Sequence, residues 1–256
     1  MKSLTPKQFD TQMKKAAALR LTDTLKALEV YLELHKYAVS IKDENKKALC
    51  GLEIGISYVH LGELDNAEKI FKESLKIFTK LIDEKLIGKL IYQIGIVQYY
   101  RADYISALSF YDKAKETFIK YNDNASLGTL LNNYGNIYRV LGDYEKSIQC
   151  FLESLKLFDG KNPIGIANAY NNLGLVYVDH QEYDKAIKCF KDGLVLRSKV
   201  KFAKGIADSL NNLGHAYYNA GDMKKAQKNF EESYRIRLKI NDLIGQIHSL
   251  NNIASV

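Results

Sequence analysis

The chain has 256 residues, 46% of them hydrophobic and 26% charged, with a formal net charge of +7. No stretch approaches the roughly 18 consecutive apolar residues of a membrane span, and Met1-Lys2-Ser3-Leu4 lacks the apolar core of a secretory signal, so a cytoplasmic protein is expected. Its lysines are interleaved with acids, as in Glu68-Lys69, Lys72-Glu73 and Asp184-Lys185, the pattern of a solvated face, which makes nucleic acid an unexpected partner.

Along the chain one pattern keeps returning. Gly55, Gly95, Gly135, Gly174 and Gly214 stand 40, 40, 39 and 40 residues apart. Twelve residues after each comes a small side chain, at Ala67, Ala107, Ser147, Ala186 and Ala226. Four further on comes an aromatic, at Phe71, Tyr111, Phe151, Phe190 and Phe230. A period held at several points of the unit means stacked copies of one supersecondary element. The expected units cover residues 8–44, 45–84, 85–124, 125–163, 164–203 and 204–243, with a truncated seventh at 244–256. The first is divergent, with Lys15 for the glycine and Thr22 in the turn. The chain is expected to be the N-terminal part of a longer protein, because a solenoid normally closes with a capping helix.

Each unit reads as two helices. In the fifth, Ile166, Tyr170, Leu173, Gly174 and Tyr177 form one stripe at three-to-four spacing, predicting a helix from about Gly165 to Asp179. Tyr183, Ala186, Ile187, Phe190 and Leu194 mark the second helix. Between them lies the turn written Gly62-Glu63, Gly142-Asp143 and Gly221-Asp222 in other copies, in which the glycine ends one helix and the acid caps the next. The small residues mark where helix axes approach, and the aromatics are expected to fill the space between neighbouring units.

Leu173, Gly174 and Tyr177, followed by Ala186 and Phe190, resemble the tetratricopeptide repeat signature, with Tyr170 where Trp is common. The resemblance covers the chain from about residue 8, although the common period is about 34 residues. The longer period, with Asn-Asn before Leu-Gly and the glycines Gly165, Gly205 and Gly245, is similar to kinesin light chains, to the Leu-Gly-Asn-repeat scaffold of spindle orientation and to bacterial sensor proteins. It implies an all-α fold, a right-handed superhelical solenoid of antiparallel helix pairs. It also implies a non-catalytic module that takes a peptide or partner segment, or a segment of the same protein, along its concave face.

No chemistry is legible. His35, His60, His180, His215 and His248 lack metal-ligand spacing, no phosphate-binding loop occurs, and neither a metal nor a cofactor is expected. Cys50, Cys150 and Cys189 read as small packing residues in a reducing compartment.

The informative polar residues are Asn132-Asn133, Asn171-Asn172, Asn211-Asn212 and Asn251-Asn252, at one position in four consecutive copies, where earlier copies hold Tyr92-Gln93, Leu52-Glu53 and Gln12-Met13. Asparagine is a mediocre helix former, so its recurrence needs a cause. By the resemblance these slots face the groove, where a carboxamide pairs with a peptide backbone; alternatively one Asn of each pair bonds the neighbouring repeat and locks the stack. Both readings stay open. Further groove candidates are Asn136, Arg139, Tyr99, Tyr100, His215, Tyr218 and Asn219. With only Lys89 and Arg139 as clear groove cations, a carboxylate-clamp receptor is disfavoured. A regulatory input region of a larger kinase, nucleotide cyclase or phosphatase is the rival reading. Oligomeric state is open, and dimerisation through the apolar edge of the truncated seventh unit is expected as an artefact.

Overall fold

The computed structural model describes residues 4–20 and 22–256. Among them thirteen helices follow one another and no strand forms. They are α1 Pro6–Leu19, α2 Thr24–Ser40, α3 Glu44–Leu61, α4 Leu64–Leu81, α5 Glu84–Tyr100, α6 Tyr104–Lys120, α7 Asn124–Val140, α8 Tyr144–Phe158, α9 Pro163–Asp179, α10 Tyr183–Lys199, α11 Ala203–Asn219, α12 Met223–Lys239 and α13 Leu243–Ala254. The all-α repeat architecture is therefore as the periodicity requires. No helix among the described residues is long and apolar enough to cross a membrane.

The connections explain the punctuation. Asp43, Asp83, Asp103, Asp123, Asp143, Asp222 and Asp242 each accept the backbone N–H three residues on, capping the helix that follows. Glu63 and Glu182 occupy equivalent positions without that bond. The extra methylene of glutamate places its oxygens badly for a cap, so the expected acid cap holds for aspartate only. Gly62, Gly142 and Gly221 are left-handed at φ 79, 78 and 85, as a helix-ending residue must be. Ala102 and Gln181 adopt the same conformation in the other copies, at φ 60 each.

Two compact units form, one running up to Asn122 and one from Asp123. Within each, every helix packs on its chain neighbours. Odd-numbered helices of successive hairpins also touch one another, α3 on α5 in the first unit and α7 on α9 and α9 on α11 in the second. No pair of even-numbered helices makes a comparable contact among the described residues. The odd-numbered helices thus form the more closely spaced inner layer of each unit.

The recurring glycine is needed for close approach. A Cβ at Gly95, Gly135 or Gly174 would fall 2.7 Å from the ring of Tyr111, Phe151 or Phe190 in the same hairpin. These rings are completely or almost completely buried. Where another hairpin follows within the unit, the ring also shares a core cluster with it, Phe71 with Leu90 and Ile94, and Phe190 with Leu213 and Ala216. One aromatic therefore closes its own hairpin and welds it to the next, a double role that the expectation of an inter-unit filler covered in part.

The 39-residue step has a local cause. Helix α8 is 15 residues long where α10 and α12 have 17. Asp159 and Gly160 are then both left-handed, at φ 43 and 72. Asn162 caps α9, and Pro163 opens it two residues before the expected start at Gly165.

Candidate peptide-binding face

In the second unit, the asparagine pairs lie on the inner layer and their geometry sorts them. Asn212 Nδ2 donates to Asn171 Oδ1 at 2.8 Å, joining α11 to α9. Asn252 Nδ2 donates to Asn211 Oδ1 at 2.8 Å and meets His215 Nε2 at 3.1 Å, joining α13 to α11. The second Asn of one hairpin thus serves the first Asn of the hairpin before it. In these four residues the stack-locking role is present in the structure, and each pair keeps one acceptor or donor set for other use.

Between α7 and α9 the pattern changes. Asn132 is buried, and its Oδ1 has no partner. Asn133 and Asn136 are half-buried on the same helix, and Asn172 is half-buried on α9. Arg139 Nη1 pairs with Asp179 Oδ2 at 2.7 Å across the two helices, so this groove cation already holds a carboxylate of its own chain. Asn219 is exposed on α11, and His215, exposed as a residue, is desolvated on the side of its ring that lies edge-on to Phe230 at 5.1 Å. Burial lowers the His215 pKa below its ordinary value; with Asn252 donating, Nε2 carries no proton.

The corresponding positions of the first unit are different in chemistry. Tyr92 is buried against Tyr111 and Phe118, at centroid distances of 5.7 and 6.0 Å, which makes it a core residue. Gln93 is half-buried beside it. Tyr99 is half-buried, edge-on to the exposed Tyr100 at 5.5 Å and tilted on Tyr104 at 5.8 Å. Glu53, in the slot of the second Asn, pairs with Arg20 just after α1 and accepts from Tyr31 Oη. A charged pair thus joins the first two hairpins where carboxamides join the last ones.

A feature that the periodicity did not single out lies on α10 and α12. Arg197 and Arg237 occupy the slot held by Phe78, Phe118 and Phe158 in earlier hairpins, and both are buried. Arg237 meets Asp208 and Asp242 at 2.6 Å each. Arg197 meets the Gly205 carbonyl at 2.9 Å, Ser209 Oγ at 2.8 Å and Asn168 Oδ1 at 2.9 Å, with no carboxylate. The switch from Phe to Arg at a repeating position was the signal available in the sequence. Cys50 and Cys189 are buried thiols, pushed by burial up to about 12 and about 11, and none of the three cysteines forms a disulfide.

Stacked hairpins with a polar inner layer and an aromatic-on-glycine core define a helical repeat scaffold. Family models described as tetratricopeptide repeat match residues 47–120, 126–199 and 207–240. The chain belongs to the tetratricopeptide repeat family, whose fold is a protein-interaction scaffold. Comparison with curated protein sequences finds no match. Among solved structures, BtubC (BKLC) from P. vanneervenii is similar at 22% identity and a TM-score of 0.68, over 86% of this chain and 93% of that one. The signal transduction ATPase with numerous domains and a tetratricopeptide repeat sensor from Pyrococcus horikoshii is similar at 22% identity and a TM-score of 0.69. That similarity covers 97% of this chain but 38% of the longer one. A Rap protein complexed with competence and sporulation factor is similar at 16% identity and a TM-score of 0.68, over 96% of this chain and 70% of that one. At such identities the likeness establishes the fold.

Proposed function

We propose that the chain is a non-catalytic interaction module that takes an extended peptide segment along the inner layer of its second unit. The observation that carries this reading is the run of carboxamides on α7, α9 and α11, where Asn132, Asn136, Asn172 and Asn219 lie on helices that touch one another. An amide side chain recognises a peptide backbone whatever side chains the peptide carries. The similar Rap protein, solved with its factor bound, is in keeping with such a role. A second reading, an input region of a larger signalling protein, is favoured by the similarity to a sensor within a longer signalling ATPase. A cytoplasmic setting suits three cysteines that form no disulfide.

The test is selection of binders from a displayed random-peptide library, followed by Asn136→Ala combined with Asn219→Ala. Losing two neutral hydrogen bonds, at about 0.5–1.5 kcal/mol each, weakens binding roughly tenfold or more while helicity is unchanged. Binders that are indifferent to these changes, or that protect the even-numbered helices from hydrogen exchange, would refute the reading.

A further inference from the structure

The chain holds two Asp-Gly dipeptides, Asp159-Gly160 and Asp192-Gly193. A glycine after aspartate lets the main-chain nitrogen reach the side-chain carboxyl carbon with least hindrance, because no Cβ stands beside that nitrogen. Whether the two atoms meet depends on the fold, and the fold treats the two pairs in opposite ways.

Asp192-Gly193 lies inside α10, where the hydrogen-bond ladder engages the interior N–H groups and fixes φ and ψ. Gly193 is buried, and a Cβ on it would fall 3.1 Å from the Ala167 carbonyl oxygen of α9. Asp159-Gly160 instead follows α8 in the connection to α9, and both residues are exposed and left-handed. The N–H of Gly160 makes no hydrogen bond among the described residues, and nothing lies within 4 Å of where its Cβ would stand. Elsewhere, as at Asp123 and Asp143, the connecting aspartate is tied to the next helix by its cap bond. Here Asn162 caps α9, and the Asp159 side chain, 82% exposed, meets Lys161 Nζ at 3.8 Å.

We propose that Asp159 is a site of spontaneous main-chain rearrangement through a cyclic imide to isoaspartate, while Asp192 is protected by its helix. The native ψ of Asp159 is 43°, so a rotation about its Cα–C bond comes first, and no hydrogen bond at Gly160 opposes it. The Gly160 nitrogen then attacks Cγ of the protonated Asp159 carboxyl. An N–Cγ bond forms, a Cγ–O bond breaks, and the amide hydrogen and the hydroxyl leave together as water. Water adds back to either carbonyl of the five-membered ring. Opening at the main-chain carbonyl leaves a chain that runs through Cβ and Cγ, one carbon longer, and frees an α-carboxylate. The added carbon falls directly after Phe158, whose buried ring lies 2.8 Å from a Cβ placed at Gly128 of α7 and 2.7 Å from one placed at Gly165 of α9. Rearrangement therefore loosens the joint between these hairpins, a slow change built into the stack and independent of any partner on the inner layer.

The test ages the folded protein and the same chain unfolded in guanidinium chloride, at physiological temperature and neutral pH. Peptide mapping with electron-transfer fragmentation, which tells isoaspartate from aspartate, reads each site. Methylation by an isoaspartyl-specific carboxyl methyltransferase measures the total product. In the folded protein isoaspartate is expected at residue 159, with at least roughly tenfold less at 192, because the helix must open before Gly193 reacts. In guanidinium chloride the two sites are expected to react at similar rates. Asp159→Glu keeps the charge but requires a larger ring, and is expected to abolish the folded-state product. The aged parent is expected to melt below the fresh one, while aged Asp159→Glu melts as it did when fresh. Equal rates at the two sites in the folded protein, or no product at 159, overturns the proposal. An unchanged melting temperature at full conversion overturns the loosening of the joint.

Discussion

Asn212 and Asn171, 41 residues apart in sequence, share a side-chain hydrogen bond of 2.8 Å that ties α11 to α9. It is a half-buried neutral bond between repeats, so its contribution lies in the range of about 0.5–1.5 kcal/mol. A double-mutant cycle of Asn171→Ala and Asn212→Ala, followed by urea denaturation, is expected to return a coupling energy of about 1 kcal/mol. Additive single effects would show that the bond does not hold the stack.

Arg197 and Arg237 offer a natural comparison. Asn168 and Phe202 stand at Arg197 where Asp208 and Asp242 stand at Arg237. Burial lowers the pKa of Arg197, with Asp208 opposing, because its nearest partners are neutral. Asn168→Asp places a carboxylate within reach and is expected to stabilise the fold by about 1 kcal/mol at neutral pH, the difference between neutral and charge-assisted bonds. A carboxylate beside an arginine has a depressed pKa, so the gain is present above about pH 4 and disappears as pH falls through the lower, folded-state value. Thermal melts at pH 7 and pH 3 check both parts.

Ile82 ends α4 in the left-handed conformation at φ 57 and is 80% exposed. A β-branched side chain there is strained by about 1–2 kcal/mol and gains nothing from packing. Ile82→Gly, which matches Gly62, Gly142 and Gly221 in conformation, is expected to raise stability by about 1 kcal/mol after the extra chain entropy of glycine is counted. An unchanged or lowered denaturation midpoint would contradict this.

Two histidines set a pH dependence. Burial, aided in the case of His35 by Lys47, holds the pKa values of His35 and His215 below the ordinary 6.5. Folding therefore disfavours their protonation. The associated stability is complete above about pH 6.5 and is lost as pH falls through the depressed values. Protonation of His215 also removes the acceptor that faces Asn252. The melting temperature is expected to fall between pH 7.5 and about pH 5, and His215→Gln to flatten that slope; equal slopes in variant and parent would exclude His215.

How much of this was legible beforehand depends on the kind of interaction. Residues whose role is local, such as the aspartate caps and the turn glycines, declare themselves through spacing alone. The glycine at 95 and the ring at 111 also announce themselves, because a contact repeated in each hairpin leaves a repeated pair of residue types. The partner of each asparagine did not, since a carboxamide serves a ligand or a neighbouring repeat equally well. Arg139 illustrates the same ambiguity: whether it waits for a carboxylate or already has Asp179 depends on which side chains face it across two helices.

Periodicity was sufficient for the helix pairs and their order, because backbone hydrogen bonding and apolar stripes are properties of short segments repeated in register; the layer that holds the asparagines followed from the family resemblance. Which asparagines bond across hairpins and which one is left without a partner was settled by packing between hairpins. There a helix two residues shorter and a pair of left-handed residues after Phe158 accompany a change in how neighbouring side chains meet. A hydrogen bond survives only a few tenths of an ångström of such a change.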